Sequence, residues 1–239
     1  MNVQHTDIDK LREDLAAAFQ LCHHFGWDES VANHFSVALP DGSGRILLNP
    51  RWQHFATIRP KDLLLLDIKA EPDMTAEGAP DPSAWAVHST LHREAAQARV
   101  ILHCHAPYST ALACLKDPTL LPIDNNTARF HGRIGYDLEF GGISDNAEEA
   151  AHVVKALGDK DVLIMGNHGV TITGETVPEA FEDLYYFEKA AKTLLIAYAA
   201  NRPLSVLSDD VARNTAEGWK TYRGMADKHF AYLKTLCTL

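Results

Sequence analysis

The sequence predicts an α/β fold built on a largely antiparallel sheet with helices packed on its faces. Two observations carry this. Strand-like runs are followed by nearby strands more often than by a helix and a parallel return, which favours antiparallel pairing over strict crossover units. A chain of 239 residues, 46% of them hydrophobic, can also bury roughly 70–75% of the surface its unfolded form exposes, enough for one self-supporting core. Proline and glycine are dispersed, and there is no repeat, low-complexity segment or long linker, so residues 1–239 read as a single domain.

Each element has its own local signal. Ile8, Leu11, Leu15, Phe19 and Cys22 recur at helical spacing over residues 6 to 25, with Gly26 placed as the stop. "HFSVAL" and "RILLNP" flank "PDGSG", whose Asp41 and Gly42 supply hairpin chemistry for two paired strands. A strand at 63 to 68 follows. In "DPSAWAVHSTLHREA" Asp81 can cap and Pro82 suits the first helical position, so a helix is predicted from Pro82 to Ala96. "RVILHCH" reads as a strand. A helix from Pro107, an irregular stretch around "DPTLLPIDNN", a short strand near Arg133 and a helix opened by Ser144 or Asp145 come next. "DVLIMGNHGV" and "TITG" read as two strands joined by a glycine-containing turn, then a long helix runs from Pro178 to Ala200 and a final one starts at Ser208.

Composition narrows the partners. Lys and Arg number 22 against 32 Asp and Glu, a net charge of −10 without a basic tract, so nucleic acid is not an expected partner. Cys22, Cys104, Cys114 and Cys237 show no C-x-x-C spacing, which predicts free thiols in a reducing compartment, the cytoplasm. The start "MNVQHTDIDKLREDL" has no apolar signal region and no apolar run approaches spanning length, so neither export nor a membrane partner is expected.

The chemistry gathers around "HCHAPYSTALA", residues 103 to 113. On a strand, His103 and His105 share one face about 6.6–7 Å apart while Cys104 points away. Two imidazoles can then converge on one ion, although H-x-H is also the pattern of ordinary strand-end histidines bonded to backbone or water. His168 in "MGNHGV" also sits where a strand ends, and three histidines with an open fourth position make a catalytic zinc-type site if the two strand ends face one cleft. His88 and His92 form a rival pair at i, i+4. "HSTLH" lacks the glutamate of the zinc-protease motif, so the expected role of His88 is to support a ligand from behind. Alternatively, His88 would close the site as a fourth, structural ligand.

These segments resemble the class II aldolase/adducin family over roughly residues 8 to 200. "VHSTLHREAAQARVILHCHAPYSTALA" and "LIMGNHGVTITGETVPEAFEDLYYFEKAAKTLLIA" are similar to the family's H-x-H block and its N-H-G block with the following long helix; "VANHFSVAL" and "ILLNPRWQHFATIRPKDLLLLD" resemble its N-terminal segments less closely. The resemblance implies a three-layer α/β/α sandwich, a homo-oligomer, usually a tetramer with active sites between subunits, and one divalent metal ion per subunit on His103, His105 and His168. Zinc is the first expectation, with manganese, cobalt or iron also accommodated by imidazole.

The departures from the family are informative. Its sugar-phosphate aldolases carry Ser-Ser-Glu at the start of the helix before the H-x-H strand, the Glu serving as acid/base; here the stretch is Pro82, Ser83, Ala84. A Gly-Asn pair of its phosphate cradle reads Asn33-His34, and a Thr-Gly turn reads Arg51-Trp52. Small residues let backbone N–H groups approach a phosphate, so a phosphorylated sugar is not the expected substrate. What remains is a lyase cleaving a carbon–carbon bond of a small non-phosphorylated hydroxy or oxo acid, by aldol cleavage or decarboxylation, through an enolate that the metal stabilises. Decarboxylation needs no initial proton abstraction. Asn33, His34, Arg51 and Ser83 are the expected substrate-binding residues, Arg51 for its bidentate fit to a carboxylate, and Tyr108 and His131 the candidate acids. Tyr185 and Tyr186 are expected to pack in the core or an interface. A non-catalytic adducin-like scaffold is the alternative reading.

Overall fold

A computed structural model describes residues 3–139, 147–222 and 224–239. The first helix, α1 (Val3–His24), buries Leu15, Phe19 and Cys22, and the chain leaves it through Gly26 at φ 71°. β1 (His34–Ala38) and β2 (Arg45–Leu48) form the predicted antiparallel pair, their connection tightened by the Ser43 N–H donated to Asp41 Oδ1 at 2.9 Å. β3 (Leu64–Asp67) adds outside β2. α2 (Pro82–Glu94) starts where expected, because Asp81 accepts from the Ser83 and Ala84 N–H groups that the helix leaves unpaired and Pro82 has no N–H to satisfy.

β4 (Val100–Cys104) is buried along its whole length and leads into α3 (Pro107–Ala113). The stretch read as irregular holds a single-turn helix, α4 (Asn125–Ala128), nucleated by a reciprocal cap between Asp124 and Thr127. β5 (Ile134–Asp137), α5 (Ala147–Leu157), β6 (Val162–Met165), β7 (Gly169–Gly174) and α6 (Val177–Ala199) follow. The expected start of α5 at Ser144 or Asp145 lies outside the described residues. The final helix departs from expectation: it is two, α7 (Asp209–Lys220), capped by Ser208, and α8 (Gly224–Lys234). The break lets α7 pack on α4 while α8 packs on α6, which one straight helix could not do.

Among the described residues the strands form one sheet in the order β3-β2-β1-β4-β7-β6-β5. Only β5 and β6 run parallel, with α5 crossing between them; the other neighbours are antiparallel. Alternation along the strands divides the core. Phe35, Val37, Leu102, Cys104, Ile164 and Ile172 face the layer of α1, α3, α6 and α8. Ile101, Leu163 and Met165 face α2 and α5, and Ile46 and Leu48 meet Trp85 of α2. The result is the three-layer α/β/α sandwich. Cys104 sits wholly in the first core, and all four cysteines are free. No helix among the described residues is long and apolar enough to cross a membrane.

Candidate metal centre

The register of three strands assembles the site. His34 of β1 lies opposite His103 of β4, and His103 opposite Thr171 of β7. Directly opposed residues share a face, so all three project toward the α2/α5 layer. His105 stands one residue beyond β4, where its N–H is held by Asn33 Oδ1 at 3.4 Å. His168 lies in the β6–β7 turn, which bends through Asn167 at φ 56°. A Cβ at Gly169 would stand 2.6 Å from the His105 ring and 2.8 Å from the Cys104 carbonyl oxygen, so only glycine lets the turn press against the ligand strand.

This register brings His103, His105 and His168 together. Their ligand-capable atoms lie within 4.8 Å of one another, with ring centroids 5.2, 4.9 and 4.8 Å apart. Thr171 donates its hydroxyl to Met165 Sδ at 3.5 Å, so it accepts from His103 Nδ1–H at 3.1 Å. Glu29 accepts from His105 Nδ1–H. Both bonds place the proton on Nδ1 and leave Nε2 as a lone pair, the tautomer a metal ligand requires. His105 Nε2 is buried with no hydrogen-bond partner, an orphaned acceptor that a divalent ion would satisfy. Burial holds His103 well below the usual imidazole range, and burial followed by the nearby His105 brings His168 to about 4, so both are neutral at pH 7. The donor set fits a divalent ion.

His88 is not a fourth ligand. Both its ring nitrogens are engaged, Nε2 with His34 Nδ1 at 2.7 Å and Nδ1 with Ser36 Oγ at 2.5 Å, which corrects the closed-site alternative and fits the supporting role. A second group, His23, Asp28 and His54, lies apart from the cavity. There His54 Nδ1 accepts the Ala56 N–H, which leaves Nε2 as the protonated nitrogen facing Asp28 at 3.4 Å. That is a hydrogen-bonded arrangement without a free imidazole lone pair at Nε2.

The triad opens into a cavity of about 520 Å³ that Asn33, His34, Arg51 and Ser83 also line. Ser83 donates its hydroxyl to Asp81 at 2.5 Å and so offers the cavity an acceptor. Arg51 lies over the Trp52 ring at 4.4 Å, and its buried Nε has no partner. Asn33 and Trp52 adopt φ 72° and 62°, the left-handed region that glycine enters without cost and other residues at roughly 1–2 kcal/mol. These are the two positions at which the aldolases' cradle was expected to carry glycine. Ala84 is buried in the first turn of α2.

Tyr108 and His131 do not line this cavity. Tyr108 is in the first turn of α3, where its N–H is donated to Glu188 Oε1 at 2.8 Å and its ring lies under Lys192. His131 follows α4 and meets Asp209 of α7 at 3.0 Å. Both were candidate acids whose direction sequence alone does not give, and α3 and α4 pack in the layer on the opposite face of the sheet. Tyr186 covers Arg129 at 4.4 Å, a packing role as expected. Glu29 and Thr171 were missed: an isolated acid in "WDESVANH" and a strand threonine carry no local signal.

The sequence matches the class II Aldolase and Adducin N-terminal domain family over residues 13–195. The chain belongs to that family. Among its relatives, an adducin-related protein of Schizosaccharomyces pombe is 27% identical over 93% of this chain and 69% of its own. A 5-methylthioribulose-1-phosphate/5-deoxyribulose-1-phosphate aldolase of Rhodospirillum rubrum is 28% identical over 89% and 92%. The crystal structure of an aldolase II superfamily protein from Pseudomonas syringae superimposes with a TM-score of 0.86 at 28% identity, covering 95% of this chain and 91% of that one. This class II aldolase/adducin member thus has the family's fold and a histidine cluster able to bind metal.

The neutral histidines give the metal-free protein a pH signature. His34, His92 and His168 titrate at about 4 when folded, chiefly through burial, against about 6.5 unfolded. Between these values the unfolded chain binds more protons, so stability is complete above pH 6.5 and falls as pH drops toward 4. Urea midpoints of metal-free protein should decline from pH 7 to pH 5; a flat profile would contradict the burial of these rings.

Proposed function

We propose that the protein is a divalent-metal-dependent carbon–carbon lyase acting on a small non-phosphorylated hydroxy or oxo acid, by aldol cleavage or decarboxylation. The observation that carries this reading is the juxtaposition of three converging imidazoles with Arg51, whose buried Nε lacks a partner, around one cavity. A divalent ion on His103, His105 and His168, zinc before manganese, cobalt or iron, would supply Lewis acidity worth several kcal/mol to the charge that develops as the carbon–carbon bond breaks.

The chain's own residues do the rest. Arg51 pairs with the substrate carboxylate, held in place by Trp52. Val87, Val153 and Met165 form an apolar wall that limits water. His34, neutral and lining the cavity, is the polar side chain placed to exchange a hydrogen bond with a substrate oxygen. Asn33 and Trp52 place side chains where a phosphate would need bare backbone. The free thiols support a reducing cytoplasm, and the exposed Tyr222, Met225 and Tyr232 of the C-terminal segment support assembly into a homo-oligomer.

A scaffold of adducin type is the second reading, favoured by Ala84 in place of an acid. The bonds that set the tautomers of His103 and His105, the first of them buried, favour the enzyme, since a scaffold has no use for them. The test is a screen of hydroxy and oxo acids with zinc- or manganese-loaded protein, reading aldehyde or carbon dioxide release, with His103→Ala as control. Turnover that survives the substitution would sink the assignment. Ala84→Glu should not by itself confer cleavage of fuculose or ribulose phosphates, because the positions of Asn33 and Trp52 remain filled; robust activity from that change would show that the cradle still accepts phosphate.

A further inference from the structure

Behind the cavity wall lies a buried polar chain that metal binding does not use. Its links are His34 Nδ1 to His88 Nε2 at 2.7 Å, His88 Nδ1 to Ser36 Oγ at 2.5 Å, and Ser36 Oγ to His92 Nε2 at 2.6 Å. Ser36 and His88 are fully buried. His34 is the end that lines the cavity, its ring stacked on His103 at 4.8 Å between centroids. Polar groups in such a place are costly unless bonded, and these three links tie three rings and one hydroxyl into a connected unit.

The His34–His88 link joins two ring nitrogens and holds a single proton, and Ser36 Oγ, with one hydrogen, bridges His88 and His92, an arrangement that suits three neutral rings with one ring proton each. Hydrogen bookkeeping then leaves two patterns that make all three links, with His92 Nδ1, buried and without a hydrogen-bond partner, standing outside them in both. In one, His92 Nε2–H donates to Ser36, Ser36 O–H to His88 Nδ1, and His88 Nε2–H to His34 Nδ1, so His34 shows Nε2–H. In the other every donor is reversed: His34 Nδ1–H donates to His88, His88 Nδ1–H to Ser36 and Ser36 to His92, and His34 shows a bare Nε2. The three histidines therefore share one tautomer, all Nε2–H or all Nδ1–H.

We propose that Ser36, His88 and His92 are positioning residues for His34, forming a neutral relay whose two hydrogen patterns let His34 offer a substrate oxygen either an N–H or a lone pair without any change of net charge. An oxygen gaining negative charge selects the N–H pattern, which the relay holds in place from behind. This rests on the lyase reading only in naming the substrate oxygen; the relay itself is a property of the folded chain.

The test is long-range proton–nitrogen NMR of the full chain labelled with 15N-histidine at pH 7.5, metal-free and then zinc-loaded with saturating oxalate as an acidic oxygen probe. The metal-free protein should show His34, His88 and His92 in one common tautomer, and the oxalate complex should show all three as Nε2–H. Ser36→Ala should release His92 from that correlation while His34 and His88 stay matched. Mixed tautomers in the wild type, an imidazolium among the three, or Nδ1–H at His34 in the oxalate complex would overturn the proposal, and the wild-type spectra decide this even if Ser36→Ala fails to fold. Matched tautomers in a protein without lyase activity would fault the functional reading alone.

Discussion

His168→Ala is expected to remove most of the bound metal while the circular dichroism spectrum stays near that of the wild type. His168 lies in a turn between two strands and is partly exposed, so truncation leaves the sheet's core intact. What it does remove is one of three imidazoles whose ligand atoms converge within 4.8 Å. Outer partners of metal ligands typically matter 10–100-fold in affinity, and a direct ligand should exceed that. Glu29→Gln, which keeps a weaker acceptor for His105, should fall within about that 10–100-fold range. Metal content measured after desalting separates the two variants. Unchanged content in His168→Ala would refute the ligand assignment.

The largest effect on stability is expected at Asp183 of α6, remote from the cavity. Its Oδ1 accepts from Arg129 Nε and Nη2 at 3.2 and 2.9 Å, and its Oδ2 accepts from Arg133 Nη2 at 2.6 Å. All three side chains are buried, and Asp183 and Asp161 hold the Arg133 guanidinium above its usual pKa against the opposing effect of burial. Asp183→Asn would leave two buried guanidinium groups short of a counter-charge, and breaking buried pairs in this way costs about 3–5 kcal/mol. Urea unfolding should show that loss with metal affinity unchanged in the folded variant. A change below about 1 kcal/mol, the range of exposed pairs, would mean that the network contributes little.

Much of this architecture was legible in the sequence because its signals are local. Asp81 followed by Pro82 marks the start of α2, Asp41 and Gly42 mark the hairpin, and the period-two alternation of "RVILHCH" separates His103 and His105 from Cys104. The pairing of His168 with the H-x-H strand was not local. It depends on the antiparallel register of β4 with β7, which periodicity does not encode. The same holds for Glu29, which reaches His105 across 76 positions in the chain, and for Tyr108 and His131, whose helices turned out to pack in the other layer. The break between α7 and α8 was invisible for a related reason, since their different packing partners, not their propensities, divide them.

His103, His105 and His168 are expected to hold a metal with a coordination position left for substrate. X-ray absorption at the zinc edge, on protein reconstituted to one equivalent, tests it most directly. The expected spectrum has three imidazole nitrogens at about 2.0–2.1 Å plus a light oxygen ligand that exchanges when oxalate is added. Four imidazoles, a sulfur ligand, or failure to retain zinc would contradict it.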